Sequence, residues 1–292
     1  MLLSSNPQSV ERIQDATPQP IPSGDLTDGP PKRVFALTIA YDGSNYAGWQ
    51  YQTNAITVQQ RIEEAAEQVL GVRTRVFGSG RTDSGVHAIG QVARLATTAW
   101  RHTASTLVPA MNRYLPRDIA VRAAREARTD FDPVRSSKSK RYRYTIRSAP
   151  CECPLNRHLH WYFPRTLHVE PMQQAAQYLI GCHDFKAFQT IGSRRLTTVR
   201  TVRDLSIVKL PNRDGFDLLI EIEADGFLYN MVRNIVGALI EVGRDRYAPY
   251  WMEEILLSKS RDGAGMTAPA HGLLMLHVEY PESLWIDNEP CE

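Results

Sequence analysis

The chain has 292 residues, with 34 basic and 32 acidic side chains, and 42% of its residues are hydrophobic. This composition is ordinary for a globular enzyme of one large or two medium domains. The formal net charge of +2 gives no overall signal for nucleic-acid binding. No apolar run reaches about eighteen residues, which argues against a transmembrane helix.

Residues 1–31 are predicted to be a disordered extension without an assigned role. The segment has six prolines and few large apolar residues, so it lacks the hydrophobic core of a signal peptide. Its acidic residues outnumber the single Arg12, which argues against a mitochondrial presequence. We place an N-terminal subdomain at 32–130, a C-terminal subdomain at 131–283 and a tail at 284–292.

The first subdomain alternates β-rich runs with helical periodicity. A capping box, Thr57-x-x-Gln60, opens a helix that runs through about Leu70. The other predicted elements are strands at 34–41, 74–77, 90–95 and 119–124, and a helix at 103–114. This order predicts an α+β unit in which helices cover a mainly antiparallel sheet.

The second subdomain repeats this theme. An amphipathic helix is predicted at 228–242, with Tyr229, Asn230, Arg233, Asn234 and Gly237 on its polar face. The other predicted elements are a strand at 142–146 that pairs with 160–163, a helix at 169–180, and a hairpin of 199–210 with 216–223.

A glycine-rich loop at 78–88, Gly-Ser-Gly-Arg-Thr-Asp-Ser-Gly-Val-His-Ala, is the strongest local motif. Arg81 and Asp83 are two residues apart, so an extended loop would point them to the same side. A carboxylate near a fixed positive charge stays ionised and can act as a nucleophile or general base. An Asx-type turn with a solvated arginine remains open from the loop alone. The glycine and lysine spacings of nucleotide-binding loops are absent.

Two groups of basic residues are candidates for phosphate binding. Such groups release counterions from nucleic acid and give salt-sensitive affinity, although a solvated strand face explains either group equally well. The first group is Arg135, Lys138, Lys140, Arg141, Arg143 and Arg147, and the second is Arg194, Arg195, Arg200 and Arg203.

The four cysteines do not have the spacing of a metal site. Cys151-x-Cys153 is not the gap of a zinc knuckle, and no His-x3-5-His pair follows it. We therefore predict reduced thiols in a cytoplasmic protein and no structural metal.

The glycine-rich loop, followed by Gly90-Gln91-Val92, resembles the catalytic loop of the tRNA pseudouridine synthase A family. Further segments carry the resemblance in the same order, so that it extends from about residue 34 to 281. These segments are 41–50, 57–59, 140–144 (Lys-Arg-Tyr-Arg-Tyr), 227–237 (Phe-Leu-Tyr-Asn-Met-Val-Arg-Asn-Ile-Val-Gly), 272–276 and 279–281.

The resemblance implies a pseudouridine synthase fold. In this fold, two α/β subdomains share a mainly antiparallel sheet, flanked by helices, around a central basic cleft. It also implies an isomerase that converts uridines 38, 39 and 40 of the tRNA anticodon stem-loop to pseudouridine without a cofactor. The expected partners are tRNA and a second copy of the chain, with no membrane.

The resemblance also assigns roles to individual residues. Asp83 is the essential aspartate, and Arg233 pairs with it and keeps it charged. Arg81 orients a phosphate or the flipped nucleotide, with loop bracing as the open alternative. Tyr142 stacks against the target base, because a flipped pyrimidine needs an apolar plane. The remaining predicted substrate contacts are Lys138, Arg141 and Arg143.

Some features leave alternatives open. His87 is assigned to capping the loop or contacting phosphate, and Tyr229-Asn230 replaces a pair that is often histidine in the family, which argues against a catalytic role there. An inactive RNA-binding protein and a pseudouridine synthase with another RNA target remain competing functions. A hydrolytic glycosidase is disfavoured, because it needs two opposed carboxylates and the motifs hold one.

Overall fold

The computed structural model describes residues 32–190 and 197–286. The predictions for 1–31, Arg194, Arg195, Cys291 and the end of the tail lie outside these residues. Within them, ten strands form one sheet. The strands are β1 (Arg33–Tyr41), β2 (Val76–Gly78), β3 (His87–Thr97), β4 (Ile119–Ala127), β5 (Ser139–Ser148), β6 (Trp161–Phe163), β7 (Gly181–Asp184), β8 (Val199–Asn212), β9 (Gly215–Ala224) and β10 (Leu273–Glu279).

The strand order is β4-β1-β3-β10-β5-β9-β8-β7, with β2 added to β3 and β6 added to β5. All pairs are antiparallel except β10 with β3 and β5 with β6. The last strand therefore lies between β3 and β5 and joins the two halves of the sheet. Strands from before and after residue 130 belong to this one sheet. The division into two subdomains at that residue stays a prediction.

Helices cover one face of the sheet. They are α1 (Val58–Leu70), α2 (Ala104–Asn112), α3 (Val169–Gln177), α4 (Met231–Gly243) and α5 (Trp251–Ser258). The strands alternate to match: in β5, Tyr142, Tyr144 and Ile146 are buried in the main core. Arg141, Arg143 and Arg147, at the alternate positions of β5, face away from that core and pair with acidic residues of β9. The α+β class with a mainly antiparallel sheet is confirmed.

Local signals explain most element boundaries. Thr57 caps α1 as predicted, because its hydroxyl accepts the Gln60 N–H at 3.3 Å. The Gln60 side chain instead donates to Glu64, so the capping box is only half formed. The predicted hairpin is confirmed as β8 and β9, and the predicted pairing of 160–163 as β6 with β5. The short β7 and the helix α5 were absent from the prediction.

The polar face predicted for α4 is partly wrong. Asn234 and Gly237 are buried, because residues 264–268 pack over that side of the helix. A Cβ at Gly237 would lie 1.7 Å from the carbonyl oxygen of Met266. The helix also begins later than predicted, at Met231, since Asn230 adopts a left-handed backbone conformation with φ 58°. Among residues 32–190 and 197–286, no helix has the length and apolar character needed to cross a membrane.

Candidate active site

The glycine-rich loop lies between β2 and β3, at the centre of the sheet. Thr82 points inward, where its hydroxyl bonds the Tyr41 phenol at 2.8 Å and its carbonyl accepts the Trp49 N–H at 3.0 Å. Its neighbours face the other way: Arg81 is exposed and Asp83 is partly exposed. This alternation is typical of an extended stretch and fits the prediction that Arg81 and Asp83 share a side.

Two buried polar residues hold the start of the loop. Gln91, fully buried on β3, accepts from the Ser79 hydroxyl at 2.7 Å and donates to the Gly80 carbonyl at 2.8 Å. Lys140 on β5 donates to the Ser79 carbonyl. A Cβ at Gly80 would lie 3.6 Å from Lys140 Nζ and 3.9 Å from the Tyr142 hydroxyl. The loop therefore lies directly against β5.

His87 braces the other end of the loop. Its ring is buried, with Nδ1 accepting the Gly43 N–H at 3.0 Å and Nε2 at 2.9 Å from the His158 carbonyl. Asp42 Oδ1 is 3.1 Å from the same Nδ1. These contacts favour loop capping over phosphate contact for His87.

Asp83 forms an ion pair with Arg233 of α4. Arg233 Nη1 lies 3.2 Å from Asp83 Oδ2, and the side chains are 17% and 31% exposed. Burial raises the pKa of the Asp83 carboxyl above its ordinary value, while the charge and hydrogen bond of Arg233 pull it back down. The neighbouring positive charge is therefore supplied by a residue 150 positions away, and Arg81 has no contact with the carboxylate.

Tyr142 lies beside this pair on the buried face of β5. Its side chain is 8% exposed, and its ring packs edge-to-face on Phe227 at 5.0 Å between centroids. Burial raises the pKa of the Tyr142 phenol, and the nearby Tyr41 and Asp83 add to the shift. The phenol is therefore neutral at physiological pH, and it forms an apolar wall next to the carboxylate.

The other predicted substrate contacts lie away from this cluster. Arg141 bonds Glu223 at 2.8 Å, and Arg143 bonds Glu221 at 2.6 Å, both across to β9. Lys138 is half exposed, 3.9 Å from Glu279. These ion pairs supply Arg141 and Arg143 with partners on the sheet, and their contact with tRNA stays a prediction.

Sequence reasoning missed the residues that hold the site together. Gln91 appeared only in a quoted motif, and Lys140 only in a quoted motif and a basic group, with no role assigned to either. Asn230, which accepts from Arg233 at 2.8 Å, was set aside as non-catalytic. Gln91 and Lys140 contact the loop at residues at least 11 positions away, and local patterns gave no signal for these contacts. Asn230 and Arg233 are three positions apart, a spacing that helix periodicity could have indicated. Among residues 32–190 and 197–286, no three or more His, Cys, Asp or Glu side chains are placed to hold a metal ion.

Gly48 packs against the backbone of the glycine-rich loop at Thr82, and its substitution tests whether this contact constrains the loop. We expect Gly48→Ala to lower the free energy of unfolding by at least about 3 kcal/mol and to reduce activity. The residue has φ +87°, and an added Cβ would lie 2.5 Å from the Thr82 carbonyl oxygen. Urea denaturation measures this loss.

Gly71 provides the matched control for this substitution. It has φ +67° with nothing within 4 Å of an added Cβ, so Gly71→Ala carries only the backbone cost of about 1–2 kcal/mol. Equal losses in the two variants would show that the contact with Thr82 does not constrain the loop.

The arrangement defines an enzyme site of a particular class. A carboxylate is held by a guanidinium beside a buried phenol, on a loop that is fixed at both ends. Such a group can act as a nucleophile or general base toward a ligand placed against the loop.

Comparisons with known proteins identify the family. The family model described as tRNA pseudouridine synthase matches residues 37–134 and 175–281, which include Asp83 and Arg233 but not Tyr142. A tRNA pseudouridine synthase A of Thermoanaerobacter sp. is 45% identical over 248 residues, covering 85% of this chain and 100% of that protein. One of Pelobacter propionicus is 43% identical with the same coverage. The chain belongs to the tRNA pseudouridine synthase family.

The activity class follows from this membership. The protein is an isomerase that converts uridine in tRNA to pseudouridine. Among solved structures, the archaeal box H/ACA sRNP Nop10-Cbf5 complex has 10% identity and a TM-score of 0.34, covering 72% of this chain and 44% of that chain. That likeness is too slight to inform the function.

Proposed function

We propose that this isomerase modifies uridines 38, 39 and 40 in the anticodon stem-loop of tRNA, with Asp83 as its essential carboxylate. The family resemblance supports the choice of positions. The observation that carries the role of Asp83 is its ion pair with Arg233, at 3.2 Å, on a loop fixed against the centre of the sheet. The contacts of the loop keep this carboxylate in one place, as a catalytic group requires.

The reaction exchanges one glycosidic bond for another. The N1–C1′ bond of uridine breaks, the uracil turns, and C5 bonds to C1′. The C5 proton then leaves to solvent and N1 takes up a proton, so no redox equivalent or energy source is consumed. Asp83 must be ionised at the first step, whether it attacks the sugar, adds to the base or removes a sugar proton.

The neighbouring residues divide the remaining tasks. Arg233 keeps Asp83 charged and aimed. Tyr142 offers a neutral aromatic surface on which a flipped uracil can pack. Lys138, Arg141 and Arg143 remain proposed tRNA contacts that act through phosphates, and the ion pairs of the two arginines with Glu221 and Glu223 make Lys138 the most accessible of them.

Arg81 is proposed to contact the nucleic acid, because it is exposed beside Asp83 and does not touch the carboxylate. We expect Arg81→Ala to weaken tRNA binding and to lower the slope of log affinity against log salt by about 1. The acid limb of the pH profile should stay where it is in the wild type. Binding titrations at several salt concentrations measure the slope, and an unchanged slope would assign Arg81 to loop bracing.

We also propose a cytoplasmic homodimer in which one tRNA contacts both subunits. The resemblance supports the dimer, and two chains would bring more basic groups to one ligand than the +2 charge of one chain suggests. The free thiols of Cys151, Cys153 and Cys182 fit a reducing compartment. A monomeric mass in solution at micromolar concentration would contradict the dimer, and imaging of a fluorescent fusion tests the location.

Mapping the modified positions tests the choice of substrate. An unmodified tRNA transcript with uridines at positions 38, 39 and 40 is treated with the protein, and pseudouridine is located by carbodiimide labelling and primer extension. Stops at these positions alone support the proposal. Stops elsewhere in the tRNA would favour a different target, and tRNA binding without any stop would favour an inactive RNA-binding protein.

A further inference from the structure

Asn230 has an unusual conformation at the start of α4. It occupies the N-cap position with φ 58° and ψ 10°, and its side chain makes no capping hydrogen bond. An N-cap asparagine ordinarily has extended backbone and accepts an N–H from the first turn of its helix. The left-handed conformation costs free energy even for asparagine, and such departures cluster at functional sites.

The side chain of Asn230 makes two other bonds. Its Oδ1 accepts from Arg233 Nη1 at 2.8 Å, and its Nδ2 donates to the Thr190 hydroxyl at 3.1 Å. A guanidinium only donates, so the amide oxygen must face Arg233 and the amide nitrogen must face Thr190. The left-handed backbone thus turns the amide away from the helix end and toward the arginine.

Asn230 and Asp83 share one nitrogen of Arg233. Nη1 carries two hydrogens, and its two acceptors are Asn230 Oδ1 at 2.8 Å and Asp83 Oδ2 at 3.2 Å. Arg233 Nε is separately fixed by the Ala268 carbonyl at 2.7 Å. With Nε held and one Nη1 hydrogen taken by Asn230, the second Nη1 hydrogen has a fixed direction, and that direction is toward Asp83.

We propose that Asn230 is a positioning residue, which aims the Arg233 guanidinium at the catalytic carboxylate. This proposal rests on the proposed role of Asp83. Asn230 acts through Arg233 and does not itself contact the carboxylate. Its loss leaves Arg233 bonded to Ala268 through Nε but lets the planar guanidinium pivot about that hydrogen bond, which carries Nη1 away from Asp83.

The consequence appears in the pH dependence of turnover. The groups that face Asp83 are Arg233 from α4, Tyr142 from β5 and, behind Thr82, Tyr41 from β1. Both phenols are neutral, since burial raises the pKa of Tyr41 to about 12 and that of Tyr142 further. Arg233 is therefore the cation that opposes the effect of burial on Asp83. A misaimed arginine raises the pKa of Asp83 and moves the acid limb of activity to higher pH.

Three substitutions separate positioning from general structure. We expect Asn230→Ala to lower kcat about 10-fold, to leave KM nearly unchanged, and to move the acid limb up by about 1 pH unit. Asn230→Asp keeps an acceptor for Arg233 but adds a second carboxylate beside Asp83. The acid limb of its pH profile should therefore lie at higher pH than that of Asn230→Ala. Asn230→His supplies one acceptor and one donor in the neutral ring, and we expect it to stay within about 3-fold of wild-type turnover.

Asn112 provides the matched control. Its side chain both donates to the Val121 carbonyl and accepts the Val121 N–H at 2.8 Å, away from the site. Asn112→Ala should lower the melting temperature without moving the pH profile.

The outcomes distinguish the two proposals. An Asn230→Ala enzyme with wild-type kcat and acid limb, beside an inactive Asp83→Asn enzyme, would overturn the positioning role and keep the proposed function. An active Asp83→Asn enzyme would overturn the proposed function itself. If Asn230→Ala fails to fold, the Asp and His variants decide: equal acid limbs in both would overturn the positioning role.

Discussion

Asp83→Asn is expected to reduce pseudouridine formation at least about 10³-fold while leaving the fold intact. The amide cannot act as a nucleophile or general base at this position. It retains an oxygen that accepts from Arg233, so the geometry survives as a hydrogen bond from the charged guanidinium to a neutral amide. Turnover on unmodified tRNA transcript measures the loss.

Binding and stability controls isolate the chemical step. The affinity of Asp83→Asn for tRNA should match that of the wild type, because the carboxylate is proposed to act on the reacting nucleotide rather than on phosphates. Asp130→Asn serves as the matched control, since Asp130 lies on the surface and pairs with its neighbour Arg128. Appreciable turnover by Asp83→Asn would contradict the catalytic assignment.

Arg233→Ala is expected to lower turnover about 10²- to 10³-fold at neutral pH. Two effects contribute: the carboxylate loses its aim, and burial then raises the pKa of Asp83 without opposition. Activity requires the ionised carboxylate, so it is lost as pH falls through that pKa. A higher pKa moves this loss to higher pH, and the variant should recover part of its activity in alkaline buffer.

Arg233→Lys separates charge from geometry. The ammonium keeps a positive charge near Asp83 but cannot bond Asp83, Asn230 and Ala268 together as the guanidinium does. We expect an acid limb close to that of the wild type and a turnover between those of the wild type and Arg233→Ala. Identical pH profiles for the wild type and Arg233→Ala would show that Arg233 does not control the ionisation of Asp83.

Local signals in the sequence predicted the elements well. The alternation of residues in 142–146 predicted a strand, which the structure extends to 139–148, and Thr57 predicted the start of α1. The hairpin of β8 and β9 followed from two β-rich runs around a turn at 212–215. In each case the cause lies within a few residues, so it is visible in the pattern of the chain.

Tertiary contacts decided the rest. The pairing of Asp83 with Arg233 was expected only from the family resemblance, because 150 residues separate them. The acidic partners of Arg141 and Arg143 lie on β9, and the sequence did not indicate that β9 pairs with β5. Likewise, the burial of Gly237 depends on a later segment that packs over α4. None of these contacts has a local signature.

The most direct test of the central claim is tritium release from tRNA labelled at uracil C5, with wild-type protein and Asp83→Ala compared at equal concentration. Formation of the C5–C1′ bond displaces the label into water, so release counts turnovers. We predict release by the wild type and none by Asp83→Ala, with both proteins binding the tRNA. Equal release by the two proteins would contradict the claim that Asp83 is the essential carboxylate.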